Sequence, residues 1–162
     1  MSYALPMLMH IIAQPELLPS DGPIGLVLVP TRHLCSQITD TINAWAGDSG
    51  DPSLKCFNAD SWVDDDIENL ARCCMLVATP ERLLGLPLAL LRATCVVLDE
   101  ADELCAGGFQ DQICSIVKSM RPDRQVLFFS ATWRDEVEEF AQKIMDANPI
   151  IIQVGDTKLA GC

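Results

Sequence analysis

A chain of 162 residues, 49% of them hydrophobic, is the size of one ordinary domain and has ample apolar material for a packed core. Eleven Lys and Arg against 23 Asp and Glu leave a formal charge of -12, which repels polyphosphate at long range and confines any nucleic-acid contact to a local cluster of cations. Eight cysteines occur without one Cys-x-x-Cys spacing, so neither zinc nor a disulfide framework is indicated, and buried thiols in a reducing compartment are expected.

In chain order, Ala4 to Ala13 is apolar, but Pro6 and His10 interrupt it and no Lys or Arg precedes it. It falls short of the roughly 20 residues a span needs, so it is read as neither signal peptide nor membrane helix. Leu17 to Gly25, with two prolines and two glycines, reads as a surface loop, as does Gly47 to Pro52. The runs Leu26 to Val29, Met75 to Ala78, Cys95 to Leu98, Val126 to Phe129 and Ile150 to Val154 are nearly continuous in apolar residues, as strands buried on both faces should be. Leu54 to Phe57 is a weaker candidate. Between the runs, Leu34, Ile38, Ile42 and Trp45 recur at helical spacing, as do Ile113, Ile116, Val117 and Met120, and then Val137, Phe140, Ala141, Ile144 and Met145. These are expected core faces, without chemistry. Asp64, Asp65, Asp66 and Glu68 read as a solvated helix start. The alternation predicts an α/β fold with a mainly parallel sheet.

In such a sheet, ligands bind beyond the carboxyl ends of the strands. The residues there are Pro30, Thr31 and Arg32; Thr79, Pro80, Glu81 and Arg82; Asp99, Glu100, Ala101 and Asp102; and Ser130, Ala131 and Thr132. Two adjacent carboxylates after an apolar run match the Walker-B arrangement of nucleotide hydrolases. The first can hold magnesium through its waters, and the second can orient or deprotonate an attacking water. A solvated helix cap is the plainer explanation of such a pair taken alone. Thr79 followed by Pro80 opens a helix whose free amides attract a phosphate oxygen, and Arg32 and Arg82 can add charge-assisted bonds that grip a backbone without reading bases.

Read together, the strand ends give PTR, TPxR, DEAD and SAT in that order, and with the stretches GFQDQI (Gly108 to Ile113) and RPDRQVLFFSATW (Arg121 to Trp133) the chain resembles the DEAD-box RNA helicases from about Ser2 to Gly155. The resemblance implies a RecA-like three-layer sandwich. It also implies ATP and magnesium as cofactors, Asp99 as the metal-side carboxylate, and Glu100 as the hydrolytic base. Asp102, Ser130 and Thr132 would couple nucleotide state to domain closure. Sequence-independent RNA contacts would fall on Pro30, Thr31, Arg32, Thr79, Pro80 and Arg82. An intracellular protein of nucleus or cytoplasm, without a membrane partner, is expected.

Departures from the family pattern are His33 and Cys35 where Glu and Ala are usual, Glu81 in place of Gly, and no glycine pair near Asn58, Ala59 and Asp60. Glu81 stabilises a first helical turn by about 0.3–1 kcal/mol, yet it sets negative charge where RNA phosphate would sit. His33, with no second His nearby, reads as a surface substitution. No glycine lies in a G-x-x-x-x-G-K-[ST] context. The resemblance places Met1 just after that phosphate-binding loop, so the strand that carries the loop, internal to the sheet beside the one ending at Phe129, is expected to be missing. Residues 1–155 are then a partial first RecA-like domain, 156–162 begin the linker to a second such domain, and the isolated chain is expected to be inactive. Two other readings stand beside this one: a non-catalytic RNA- or protein-binding descendant, and an unrelated acidic α/β domain with a small-molecule crevice.

Overall fold

The computed structural model describes residues 1–15, 17–18, 21–49, 54–61, 73–145 and 148–155, with the side chains of 48 and 49 excepted. The elements in chain order are α1 (Ala4–Ile12), β1 (Gly25–Leu28), α2 (Arg32–Ser49), β2 (Cys56–Asn58), a 3-10 turn (Ala59–Ser61), β3 (Met75–Ala78), α3 (Pro80–Leu84), β4 (Cys95–Leu98), α4 (Ala101–Ala106), α5 (Gln110–Ser119), β5 (Gln125–Phe128) and α6 (Asp135–Ile144). All strand pairings among them are parallel, in the order β2-β3-β1-β4-β5.

Why the apolar runs become central strands is visible in their burial. Every residue of β1, β3 and β4 is buried, and successive side chains divide between the two faces of the sheet. Leu26, Leu28, Leu76, Ala78, Val96 and Leu98 pack with Leu104, Ile113, Ile116, Val117 and Phe140 of α4, α5 and α6. Val27, Val29, Met75, Val77, Cys95 and Val97 pack with Ala4, Met7, Ile11, Cys35, Ile38 and Ile42 of α1 and α2. Two helical layers thus enclose one sheet, the expected three-layer α/β sandwich. Gly25 leaves room for α1 to pack on it, since a Cβ there would lie 2.8 Å from the Met7 sulfur.

Several expectations change. Ile150 to Val154 forms no strand, and Ile150, Ile151, Ile152 and Val154 are 68–94% exposed. A strand needs a neighbour, and among the described residues β5 pairs only with β4, its other edge facing a groove of about 260 Å³ bounded by Val126, Leu127, Ile144, Met145, Pro149 and Ile150. The α2 face runs through Cys35, Ile38, Ile42 and Ala46, leaving Trp45 39% exposed, because the helix turns one residue further than the Trp-based spacing assumed. That helix also continues to Ser49, absorbing the start of the expected Gly47 to Pro52 loop. Gly22 to Gly25 is buried and packed, not a surface loop: Gly22 has φ +78°, and a Cβ would lie 2.0 Å from the Ala89 carbonyl oxygen. The acidic run at Asp64, Asp65, Asp66 and Glu68 lies outside the described residues. Six described cysteines are buried free thiols and Cys114 is half-buried. No helix among the described residues is long and apolar enough to cross a membrane.

Candidate active site and nucleic-acid interface

The chain leaves β4 through Asp99 and Glu100 before α4 begins. Glu100 adopts φ 52° and ψ 52°, the only non-glycine positive φ among the described residues. A left-handed backbone costs a residue with a Cβ about 1–2 kcal/mol, and such strain concentrates at functional positions. The Asp99 carboxylate is held on both oxygens. Oδ2 accepts the Tyr3 phenol at 2.6 Å and Oδ1 accepts the Glu100 amide at 3.1 Å. Tyr3 is 2% exposed, with its ring 5.0 Å from that of Phe129. Burial, then the hydrogen bond to Asp99 and its charge, push the Tyr3 phenol far above its ordinary value, so it remains a donor. Burial, followed by the charges of Asp99, Glu103 and Asp102, raises the Glu100 carboxyl, in the direction that strengthens a base.

One turn on, Asp102 meets the residues that follow β5. Its Oδ2 accepts the Thr132 hydroxyl at 2.7 Å and the Thr132 amide at 3.1 Å, while its own amide donates to the Ser130 hydroxyl at 3.2 Å. The Ser130 hydroxyl donates in turn to the Thr132 carbonyl at 2.6 Å. Partial burial opposes ionisation of Asp102, but the bonds with Thr132 and Ser130 outweigh it and lower the carboxyl below its ordinary value. Asp102 thus forms one network with two residues about thirty positions further along the chain, joining two strand ends.

Beyond the other strand ends, Arg32, Thr79 and Arg82 reach the turn after β2, with Pro30, Thr31 and Pro80 beside them in sequence. Thr31 opens α2, its hydroxyl oxygen accepting the Leu34 amide at 3.4 Å, and Thr79 is extended with Pro80 at the first position of α3. The Arg82 Nε donates to the Ala59 carbonyl at 3.0 Å. Asp60, which the motif reading passed over, sits among them: it accepts the Thr79 amide at 2.8 Å and hydroxyl at 2.9 Å, and lies 3.5 Å from Arg32 Nε. Glu81 and His33 are exposed. Tyr3 is the other omission. The signal for it was the sequence's one tyrosine, at the start of a mainly apolar stretch, since a buried phenol needs a partner.

Among the described residues no three His, Cys, Asp or Glu side chains converge to hold a metal ion. The 162 residues contain no G-x-x-x-x-G-K-[ST].

The DEAD/DEAH box helicase model matches residues 1–140. The chain is 42% identical to the ATP-dependent RNA helicase DBP2 of Saccharomyces cerevisiae, over 99% of this chain and 30% of that protein. It is likewise 42% identical to DEAD-box ATP-dependent RNA helicase 24 of Oryza sativa subsp. japonica, over 95% of this chain and 20% of that protein. Among solved structures, the yeast DEAD-box splicing factor Prp28 superposes with a TM-score of 0.73 at 28% identity, covering 90% of this chain and 36% of its own. Yeast Dbp5 bound to Gle1 and ip6 gives a TM-score of 0.73 at 26% identity, covering 93% and 38%. The chain thus spans less than a third of the length of these two curated relatives.

Proposed function

The chain belongs to the DEAD/DEAH box helicase family, and we propose that it forms the RNA-facing and water-activating part of the first RecA-like domain of an ATP-dependent RNA helicase. On this reading residues 1–155 are part of that domain and 156–162, outside the described residues, begin the linker to a second. The activity of the whole would be RNA-dependent ATP hydrolysis coupled to duplex unwinding or remodelling of RNA-protein complexes.

The observation that carries the reading is the convergence of Asp99, Glu100, Asp102, Ser130 and Thr132 across the ends of β4 and β5. On this reading Asp99 would take the magnesium of ATP and Glu100 the attacking water. The Asp102, Ser130 and Thr132 network ties the metal-side loop to the loop after β5, so a shift of one is passed to the other. Pro30, Thr31, Arg32, Thr79, Pro80 and Arg82 would contact the sugar-phosphate backbone, without base readout.

By itself the chain is inferred not to turn over ATP, since the carboxylates lack a phosphate cradle within these residues; this also favours the second reading, a non-catalytic RNA- or protein-binding domain. Titration of a fluorescent ATP analogue with magnesium, with circular dichroism to establish folding, tests the inference. A folded chain without binding is expected. Micromolar binding by the isolated chain would mean that it holds a nucleotide site of another construction.

A further inference from the structure

Asp60 presents a carboxylate that is buried, charged and ringed by donors. Its side chain is 2% exposed, while that of Arg32, which reaches in to 3.5 Å, is 83% exposed. Oδ2 accepts the Thr79 amide at 2.8 Å and the Cys35 thiol at 3.2 Å, and Oδ1 accepts the Thr79 hydroxyl at 2.9 Å. The turn that delivers it is pinned by Asn58, whose side-chain oxygen accepts the Asp60 amide at 2.9 Å. Next to it, the Ala59 carbonyl takes the Nε proton of Arg82.

A phosphodiester and a carboxylate ask for the same partners: each offers two oxygens sharing one negative charge, and each bonds best to guanidinium, hydroxyl and amide donors. Arg32 and Thr79 supply all three kinds; Asp60 already accepts both donors of Thr79 and draws the Nε of Arg32 to 3.5 Å. A buried anion at contact distance also repels an incoming phosphate through a medium less screening than water.

We propose that Asp60 acts as an internal stand-in for a backbone phosphate, occupying Arg32 and Thr79 and holding down the affinity of this face for RNA. The proposal rests on the reading that this face contacts RNA, and deepens it by naming the residue that sets how tightly. The charge, and not merely the shape, of Asp60 is the device. Its neutral isostere should therefore release Arg32 without emptying the turn, since an amide oxygen can still accept from Thr79.

The test is fluorescence anisotropy of a labelled single-stranded oligouridylate at low salt, with wild type, Asp60→Asn and Asp60→Ser, each checked for a cooperative melt. Asp60→Asn and Asp60→Ser are expected to bind about tenfold tighter. Adding Arg32→Ala should reduce that gain by the share Arg32 carries, and Arg121→Ala, before β5 at the opposite end of the sheet, should change nothing. A folded Asp60→Asn or Asp60→Ser that binds no tighter than wild type overturns the proposal. If wild type then still weakens with Arg82→Ala, the RNA-face reading survives; if wild type shows no binding that Arg82→Ala alters, both fall. Should neither Asp60 variant fold, the Thr79 amide resonance of wild type decides. Its staying in place at RNA saturation while those of Thr31 and Arg82 move supports Asp60 as the occupant, and its displacement overturns it.

Discussion

Glu100 and Asp102 sit two residues apart and have opposite pH signatures. The Glu100 carboxyl is raised, by burial first and then by its acidic neighbours, so its charge opposes folding. That penalty is present above the raised folded value and absent below the unfolded one. Glu100→Gln is therefore expected to stabilise the chain at neutral pH and to leave it unchanged near about pH 3, in urea titrations at both. Asp102 is lowered, since the bonds with Thr132 and Ser130 overcome its partial burial, and its contribution has the reverse sign. It is present above the unfolded value and lost as pH falls through the depressed folded one. Asp102→Asn should thus be less stable than wild type at neutral pH and converge with it in acid. Glu100→Gly separates backbone from charge: relief of the left-handed strain, about 1–2 kcal/mol, less the added unfolded-state entropy of glycine, predicts a gain of about 0.5–1 kcal/mol at any pH where Glu100 is uncharged. A change of zero or below there would mean that φ 52° is not strained in this turn.

Among the elements, α1 is fastened to β4 near both of its ends, by Tyr3 to Asp99 and by His10 Nε2 to Thr94 Oγ1 at 2.7 Å. Tyr3→Phe keeps the ring against Phe129 but removes the donor from a charged acceptor, an expected loss of about 1.5–3 kcal/mol by denaturant titration. Sequence periodicity captured the elements that are buried on both sides. β1, β3 and β4 lie within one residue of their apolar runs, and the α5 face at Ile113, Ile116, Val117 and Met120 is buried as read. It failed where burial depends on a neighbour. Ile150 to Val154 has the composition of a core strand, yet nothing in the described residues pairs with it. Motif reading found the residues of the Asp102, Ser130 and Thr132 network because each follows a strand. Tyr3 and Asp60 escaped it because their roles are set by what they touch across more than 15 residues of sequence. Ile151→Lys is accordingly expected to change stability by less than about 0.5 kcal/mol, whereas Ile116→Ala, at 1% exposure, should lose about 2–5 kcal/mol.

For the molecule as a whole, a formal charge of -12 acts on two kinds of association in opposite senses. RNA held through Arg32 and Arg82 against that background should weaken as salt rises, because few cations carry the contact and each phosphate bound releases counterions. Contact between two copies of the chain should strengthen with salt, because like charge is what keeps them apart. Among the described residues, the surface open to such contact is the outer edge of β5, which pairs there with β4 alone. Gln125 and Phe129 donate their amides to Thr94 and Leu98 on the β4 side, so the amides of Val126 and Phe128, one residue out of phase, face outward. With Ile150 lining the groove and Ile151 and Ile152 exposed after it, this edge is apolar and unpaired among the described residues, the kind that templates pairing with another chain. Sedimentation velocity over a concentration series is expected to show self-association that increases from about 50 mM to about 500 mM salt. Val126→Pro removes an outward amide while sparing the bonds to β4, and should reduce the association without preventing folding. Association that falls with salt would assign it to a charged surface, and association indifferent to a folded Val126→Pro would assign it to a surface other than the β5 edge.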